Sequence, residues 1–179
     1  FMAALVDQFQ LSFAPQVQEE AVVQGSNYRF TVLTERLIRM EYDPNGNFED
    51  RPTQLFWYRN QPIPEFEVNK LQEKVIIETE YLKLVYKVSE TGFADNNLKI
   101  EIKALDNVWH YGDENEGNLG GTVRTLDTID GSTELDQGLL SRTGWSVVED
   151  TDSLVFTEDT GWVEKKKTSS EYEDLYFFG

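Results

Sequence analysis

Apolar and polar residues alternate along several stretches of this chain. Between positions 37 and 42, Ile38, Met40 and Tyr42 share one face of an extended chain, and Arg39 and Glu41 share the other. A period of two residues is typical of a strand. Alternation of this kind predicts an antiparallel sheet with one buried and one solvent-exposed face. Further stretches with strand character lie at 28–33, 75–79, 81–88, 98–104, 146–148, 154–156 and 172–178.

The arrangement of these stretches predicts the fold class. No stretch in the body of the chain sustains the 3.6-residue period of a helix, so the pattern predicts an all-β protein. Numerous short strands separated by turns are typical of an antiparallel β-sandwich. One turn is predicted at 43–47, where Asn45-Gly46 supplies the positive φ that tight turns require. Its spacing does not match a calcium loop, so no metal site is predicted there.

The apolar run Leu55–Tyr58, which Pro62 and Pro64 close, has two interpretations. The favoured one is a core strand, because apolar runs of this length between turn signals are typical of buried strands. The alternative is a platform of rings on which sugars stack.

Composition narrows the classes of function. A chain of 179 residues is expected to form a single domain over 1–179. Its net charge of −17 argues against nucleic acid and anionic membranes as partners. The absence of cysteine and the single histidine, His110, argue against a thiolate or histidine-rich metal site, and no cofactor is predicted. The chain has no apolar run of about 20 residues and no basic segment at its start, so a cytoplasmic protein is predicted.

The segment from Asn118 to Trp145 is polar and rich in glycine. Gly120 and Gly121 let the backbone take positive φ or pass close to another surface. Loops of this kind, held by strands on both sides, commonly carry binding residues. The alternative is a long connection with a packed tryptophan. The candidate binding residues in the segment are Arg124, Asp127, Arg142 and Trp145.

This segment resembles part of the N-terminal β-sandwich domain of the glycoside hydrolase family 31 α-glucosidases. Two further segments match that family: Phe48–Gln54, which follows the strand at 36–42, and Asp174–Gly179, which resembles the strand leading into the catalytic barrel. The resemblance extends from about Tyr28 to Gly179. It implies a galactose mutarotase-like supersandwich.

The resemblance also implies that this chain is the non-catalytic part of a larger enzyme. Members of the family hydrolyse O-glycosyl bonds of α-glucosides in carbohydrate metabolism. Their nucleophile and acid/base are aspartates of a (β/α)₈ barrel that this chain does not contain. No catalytic residue is therefore predicted here, and the chain alone is not expected to be an enzyme. Its implied partner is the barrel, and its implied ligand in the full enzyme is an α-glucoside.

One loop of the family's sandwich lines the sugar-binding pocket, and Leu140–Trp145 stands in its place. The resemblance thus makes Arg142, Thr143 and Trp145 substrate-binding candidates. A guanidinium offers five donors, a threonine one hydroxyl, and an indole an apolar face. Many relatives carry aspartate where Thr143 stands, which puts a carboxylate contact to the sugar in doubt. The alternative pairs Arg142 internally and buries Trp145 in the core.

Asp127 lies near the same pocket by resemblance and is the fourth substrate-binding candidate. Arg124 is assigned a structural role. We also expect an exposed contact face near the aromatic strand at 172–178, on the same side as the loop.

Two further functions remain open. One is a self-standing carbohydrate-binding module. The other is a mutarotase-type sugar epimerase, which needs a histidine and a carboxylate. His110 is more typical of a packed or hydrogen-bonded residue than of a base, so the epimerase is the weaker hypothesis.

Overall fold

The computed structural model describes residues 11–123, 131–157 and 162–179. Across these ranges the chain forms two five-stranded antiparallel sheets and one two-stranded sheet, which confirms the predicted all-β fold and agrees with a β-sandwich. The strands are β1 Val22–Gln24, β2 Tyr28–Thr34, β3 Leu37–Tyr42, β4 Phe66–Leu71, β5 Lys74–Thr79, β6 Leu82–Lys87, β7 Leu98–Ile102, β8 Asn107–His110, β9 Ser146–Glu149, β10 Val155–Phe156, β11 Val163–Glu164 and β12 Glu173–Phe178.

In the part of the chain that the structure describes, helical structure is confined to short turns. Within the described ranges, two 3₁₀ turns occur, at Glu19–Ala21 and Lys103–Leu105. No helix among these residues is long and apolar enough to cross a membrane.

The first sheet has the strand order β1-β2-β3-β12-β9. The hairpin between β2 and β3 follows from the sequence, because polar Glu35-Arg36 interrupts two strongly strand-forming stretches. The last strand, β12, lies between β3 and β9, with Leu175 opposite Met40 on one side and Glu149 on the other. Because β12 has a strand on each side and Tyr176 and Phe177 are fully buried, the expectation of an exposed face near 172–178 is wrong.

The second sheet is a simple meander in the order β4-β5-β6-β7-β8. Its inner face carries the alternating residues that the sequence pattern predicts, among them Leu84, Tyr86 and Ile100, all fully buried. The outer strand β4 is exposed along most of its length.

The core lies between the two five-stranded sheets and is strongly aromatic. Phe30 of the first sheet packs edge-on against Tyr86 of the second, with ring centroids 5.4 Å apart. Trp109 packs against Phe177 at 5.3 Å, which joins the edge strand β8 to the centre of the first sheet. Ring contacts of this kind add to the stabilisation that burial provides.

The first sheet is also buried on its outer face. Arg39 is only 2% exposed and Glu41 is fully buried. The expectation that these two side chains face solvent is therefore wrong. Segments 43–62, 150–157 and 162–172 cover this face, and their contacts include the carbonyl of Glu49, which accepts a hydrogen bond from Arg39 at 2.9 Å.

The run Leu55–Tyr58 belongs to this covering layer and forms no strand, so the favoured core-strand interpretation is wrong. Phe56 stacks flat on Tyr176, with ring centroids 3.5 Å apart. Trp57 packs edge-on against Phe156. Tyr58, in contrast, is 56% exposed.

Candidate functional site

The segment between β8 and β9 folds back on itself as two paired arms, residues 115–121 and 136–145. A β-bridge joins Asn118 to Ser141. The N–H of Arg142 donates to the carbonyl of Gly117 at 2.9 Å, and the N–H of Gly121 donates to that of Asp136 at 2.7 Å. The backbone pairing therefore fixes the position of Arg142.

The glycines in the paired arms have the roles that the sequence predicts. Gly120 has φ of +79°, which residues with a Cβ rarely adopt. A Cβ on Gly138 would lie 2.5 Å from the carbonyl oxygen of Gly120. The arms can approach this closely only because these positions lack side chains.

Asn115 anchors the base of the paired arms. Its amide donates to the carbonyl of Trp145 at 2.8 Å. Its Oδ1 accepts hydrogen bonds from the hydroxyls of Ser141 at 2.6 Å and Thr143 at 3.1 Å. The hydroxyl of Thr143 is thus engaged inside the loop, where it positions the backbone beside Arg142.

Asn118 holds the two arms together further out. Its Nδ2 donates to the carbonyl of Gly138 at 2.8 Å. Its Oδ1 accepts the N–H groups of Gly120 and Gly138, each at 2.9 Å. An asparagine can do this because its amide carries both donors and an acceptor.

Arg142 lies on the outside of the paired arms and is exposed. Among the residues that the structure describes, its guanidinium has no hydrogen bond or ion pair. None of these described residues therefore occupies its donors.

Trp145 is 7% exposed and lies in the core. Its ring lies 6.3 Å from that of Trp109 and 6.4 Å from that of Phe177, measured between centroids. This placement agrees with the alternative in which Trp145 is a core residue, because its ring offers no free face to a sugar.

Arg124 and Asp127 lie outside the described residues. The structure therefore brings together Arg142 and Thr143, with Trp145 beneath them. His110 is exposed, and its Nδ1 lies 3.5 Å from Oδ2 of Asp113 at the surface.

Exposed leucines lie on the paired arms and the adjoining turns. Leu140 is 71% exposed. Four others are more than half exposed: Leu105, Leu119, Leu135 and Leu139. A concentration of large apolar side chains on a surface commonly marks an interaction site.

A second feature, which sequence analysis missed, is the buried ionic layer on the outer face of the first sheet. Arg39 donates to both carboxylate oxygens of Asp174, at 2.8 and 2.7 Å. Arg29 pairs with Glu41 in the same bidentate manner, at 2.6 and 3.0 Å. Bidentate pairs with this geometry are the strong form of a charge-assisted hydrogen bond.

Two residues of the covering segment complete the layer. The hydroxyl of Tyr172 donates to Glu41 at 2.9 Å and lies 3.0 Å from Asp174. Lys166 contacts Asp174 at 2.9 Å and is almost fully buried. The ionic layer therefore joins β2, β3 and β12 to segment 162–172.

The pKa values of two buried aspartates in this region, Asp174 and Asp150, shift in opposite directions. Burial disfavours ionisation of Asp174, but the charges and hydrogen bonds of Arg39 and Lys166 outweigh it and hold its pKa well below the ordinary value. Burial and the charge of Asp174 together raise the pKa of Asp150. Neither carboxyl oxygen of Asp150 has a hydrogen-bond partner within the described ranges.

The sequence carried one signal for the ionic layer. Arg29 lies directly opposite Glu41 in the register of β2 and β3. Opposite charges at matched positions stabilise neighbouring strands. Asp174 carries no such signal, because the residue opposite it is Glu41, which has the same charge. Its ion pair with Arg39 depends on β12 lying beside β3, which separate strand patterns do not reveal.

The candidate sites offer little for a metal. Among the described residues, no group of three or more histidine, cysteine, aspartate or glutamate side chains could hold a metal ion. Compared with models of known protein families and with curated protein sequences, the chain matches none.

We expect Asp174→Asn to destabilise the fold by about 3–5 kcal/mol at pH 7, because it leaves Arg39 and Lys166 buried without their main counter-charge. Chemical denaturation measures the loss. Asp95→Asn, at an exposed position, is the matched control and should change the free energy of unfolding by about 0.5 kcal/mol or less.

The destabilisation caused by Asp174→Asn should depend on pH. Since the pKa of Asp174 is lower in the folded state, its contribution to stability is present above the ordinary carboxyl pKa and is lost as pH falls through the lowered value. The gap between wild type and Asp174→Asn should therefore narrow below about pH 4. A gap that stays constant or widens there would contradict the assignment.

Proposed function

We propose that this chain is the non-catalytic N-terminal β-sandwich domain of a cytoplasmic family 31 α-glucosidase. In the full enzyme it packs on the catalytic (β/α)₈ barrel and lends a loop to the sugar-binding site. Hydrolysis of the glycosidic bond belongs to the barrel.

The observation that carries this proposal is the anchored presentation of Arg142. Asn115 and Asn118 fix the paired arms through hydrogen bonds of 2.6–3.3 Å, and the guanidinium of Arg142 is exposed beyond them. A prepositioned guanidinium loses little freedom when it binds a hydroxyl or carboxylate. The exposed leucines on the same paired arms and adjoining turns suit contact with another domain. The all-β sandwich and the order of the three segments that resemble the family support the same proposal.

The three described candidates then have different roles. Arg142 donates hydrogen bonds to the sugar. Thr143 positions the backbone next to it through Ser141 and Asn115. Trp145 fixes the base of the paired arms in the core and supports the loop without touching the ligand.

The purified chain should not hydrolyse 4-nitrophenyl α-glucoside, because a glycosidase needs two carboxyl groups across the scissile bond and these belong to the barrel. A colorimetric assay measures this. Turnover that stays with the chain through successive purification steps and exceeds the buffer background would contradict the proposal.

The alternative, a self-standing carbohydrate-binding module, has one observation in its favour. The 54–58 segment is anchored by Phe56 and Trp57 but leaves Leu55 54% and Tyr58 56% exposed beside a surface cavity of about 360 Å³. An exposed ring on a fixed backbone can stack on a sugar.

Titration calorimetry with maltose separates the two functions. A single loop encloses little of a ligand, so the proposed domain should bind maltose with a Kd in the millimolar range or weaker. Tyr58→Ala should leave that affinity unchanged. Micromolar binding that Tyr58→Ala abolishes would establish the binding module instead.

In the enzyme that contains both the domain and the barrel, Arg142→Ala should lower kcat/KM for maltose roughly 10- to 100-fold. This corresponds to the loss of one or two charge-assisted hydrogen bonds, about 1.5–3 kcal/mol. Lys87→Ala, at an exposed position at the end of β6, is the control and should have no effect. An unchanged kcat/KM in Arg142→Ala would assign Arg142 to loop structure alone.

A further inference from the structure

A cleft opens between the edges of the two large sheets. It lies between β8, the last strand of the second sheet, and β9, the last strand of the first. Neither of these edges pairs with a further strand in the part of the chain that the structure describes. The cleft has a volume of about 260 Å³ and is lined by Trp109, Tyr111, Asp113, Val147, Glu149 and Leu175.

The floor of the cleft is apolar and fixed. Trp109 is 2% exposed and packs against Phe177 of β12, and Leu175 of the same strand is 8% exposed. Tyr111 is partly buried and packs against this core. A ligand in the cleft would therefore meet a preformed surface of aromatic and aliphatic groups.

The rim of the cleft is acidic. Glu149 is exposed at the end of β9, and Asp113 lies on the turn after β8. No lysine or arginine is among the lining residues.

A third carboxyl group, that of Glu173, lies behind Tyr111. Burial raises its pKa to about 6, although a hydrogen bond with Tyr111 acts in the opposite direction. Its Oε2 is buried and has no hydrogen-bond partner within the described ranges. A positive charge in the cleft would offset the cost of burying this group.

The chemistry of the cleft discriminates between classes of ligand. Sugar hydroxyls both donate and accept hydrogen bonds, so sugar sites combine acceptors with side-chain donors. Here the charged side chains of the lining are carboxylates, which only accept when ionised. Aromatic rings also attract cations through their π faces. A positively charged donor therefore fits this lining better than a neutral sugar does.

We propose that this cleft binds an organic ammonium group, that is, a charged amine carried on a small apolar carbon frame. The carbon frame packs on the partly buried Tyr111 and Val147, above the core, and the ammonium group lies between Glu149 and Asp113. The site is separate from Arg142 and the paired arms, and it does not depend on the proposed function.

Cyclohexylammonium and cyclohexanol form a suitable pair of probes, because they share the carbon frame and differ in charge. At constant ionic strength, cyclohexylammonium should bind in the millimolar range or tighter and shift the NMR signals of Trp109 and Val147. Cyclohexanol should bind roughly tenfold or more weakly, since it lacks the charge.

Two variants locate the site. Glu149→Gln should weaken cyclohexylammonium binding roughly tenfold, as expected for the loss of one hydrogen bond to a charged group. Glu67→Gln removes the same charge from exposed β4, at the opposite edge of the second sheet, and should leave the affinity unchanged. Tyr111→Leu should also weaken binding, because it removes a ring from the lining.

Four results would overturn the proposal. The first is undetectable binding of cyclohexylammonium, and the second is an equal affinity for cyclohexylammonium and cyclohexanol. The third is an equal loss of cyclohexylammonium affinity in Glu149→Gln and in Glu67→Gln. The fourth is a shift of the Trp109 signal by methyl α-glucoside but not by cyclohexylammonium, which would assign the cleft to a sugar. None of these results bears on Arg142.

Discussion

The buried pair of Arg39 and Asp174 is the interaction on which the first sheet depends. It joins β3 to β12 through two short hydrogen bonds, and the same groups reach the covering segments through the carbonyl of Glu49 and through Lys166. Removing charges from water is costly, so such a pair is retained only where further hydrogen bonds complete it. Here Tyr172 and Lys166 supply them. The result is a sheet buried on both faces, with a hydrocarbon and aromatic core on one side and an ionic layer on the other.

The sequence predicted the inner face of the sandwich well and the outer face poorly. Alternation at Ile38, Met40 and Tyr42 was sufficient to place these residues in the core, because only one arrangement buries all three. The same pattern placed Arg39 and Glu41 in solvent, since charged residues are rarely buried without partners. Their partners lie more than 100 residues away for Asp174 and Tyr172. Local alternation contains no information about such contacts.

In the candidate site, too, local features were predictable from the sequence and tertiary contacts were not. Glycine chemistry predicted the close approach at Gly120 and Gly121, because a backbone requirement is local. The local sequence did not decide whether Trp145 binds a sugar or packs in the core, because the same residue pattern surrounds an exposed and a buried tryptophan. In the structure Trp145 supports the paired arms from the core, while Arg142 carries the exposed donors. A rigid base beneath an exposed cation is the physical basis for proposing that this loop serves a neighbouring active site.

We propose that this sandwich works as one domain of a larger hydrolase. The mass of the native protein, determined together with the coding sequence that follows Gly179, tests this directly. We expect a continuous chain in which a (β/α)₈ barrel with two catalytic aspartates follows this domain. A native protein of 20.7 kDa, the mass of this chain alone, with no barrel encoded after it, would contradict the claim.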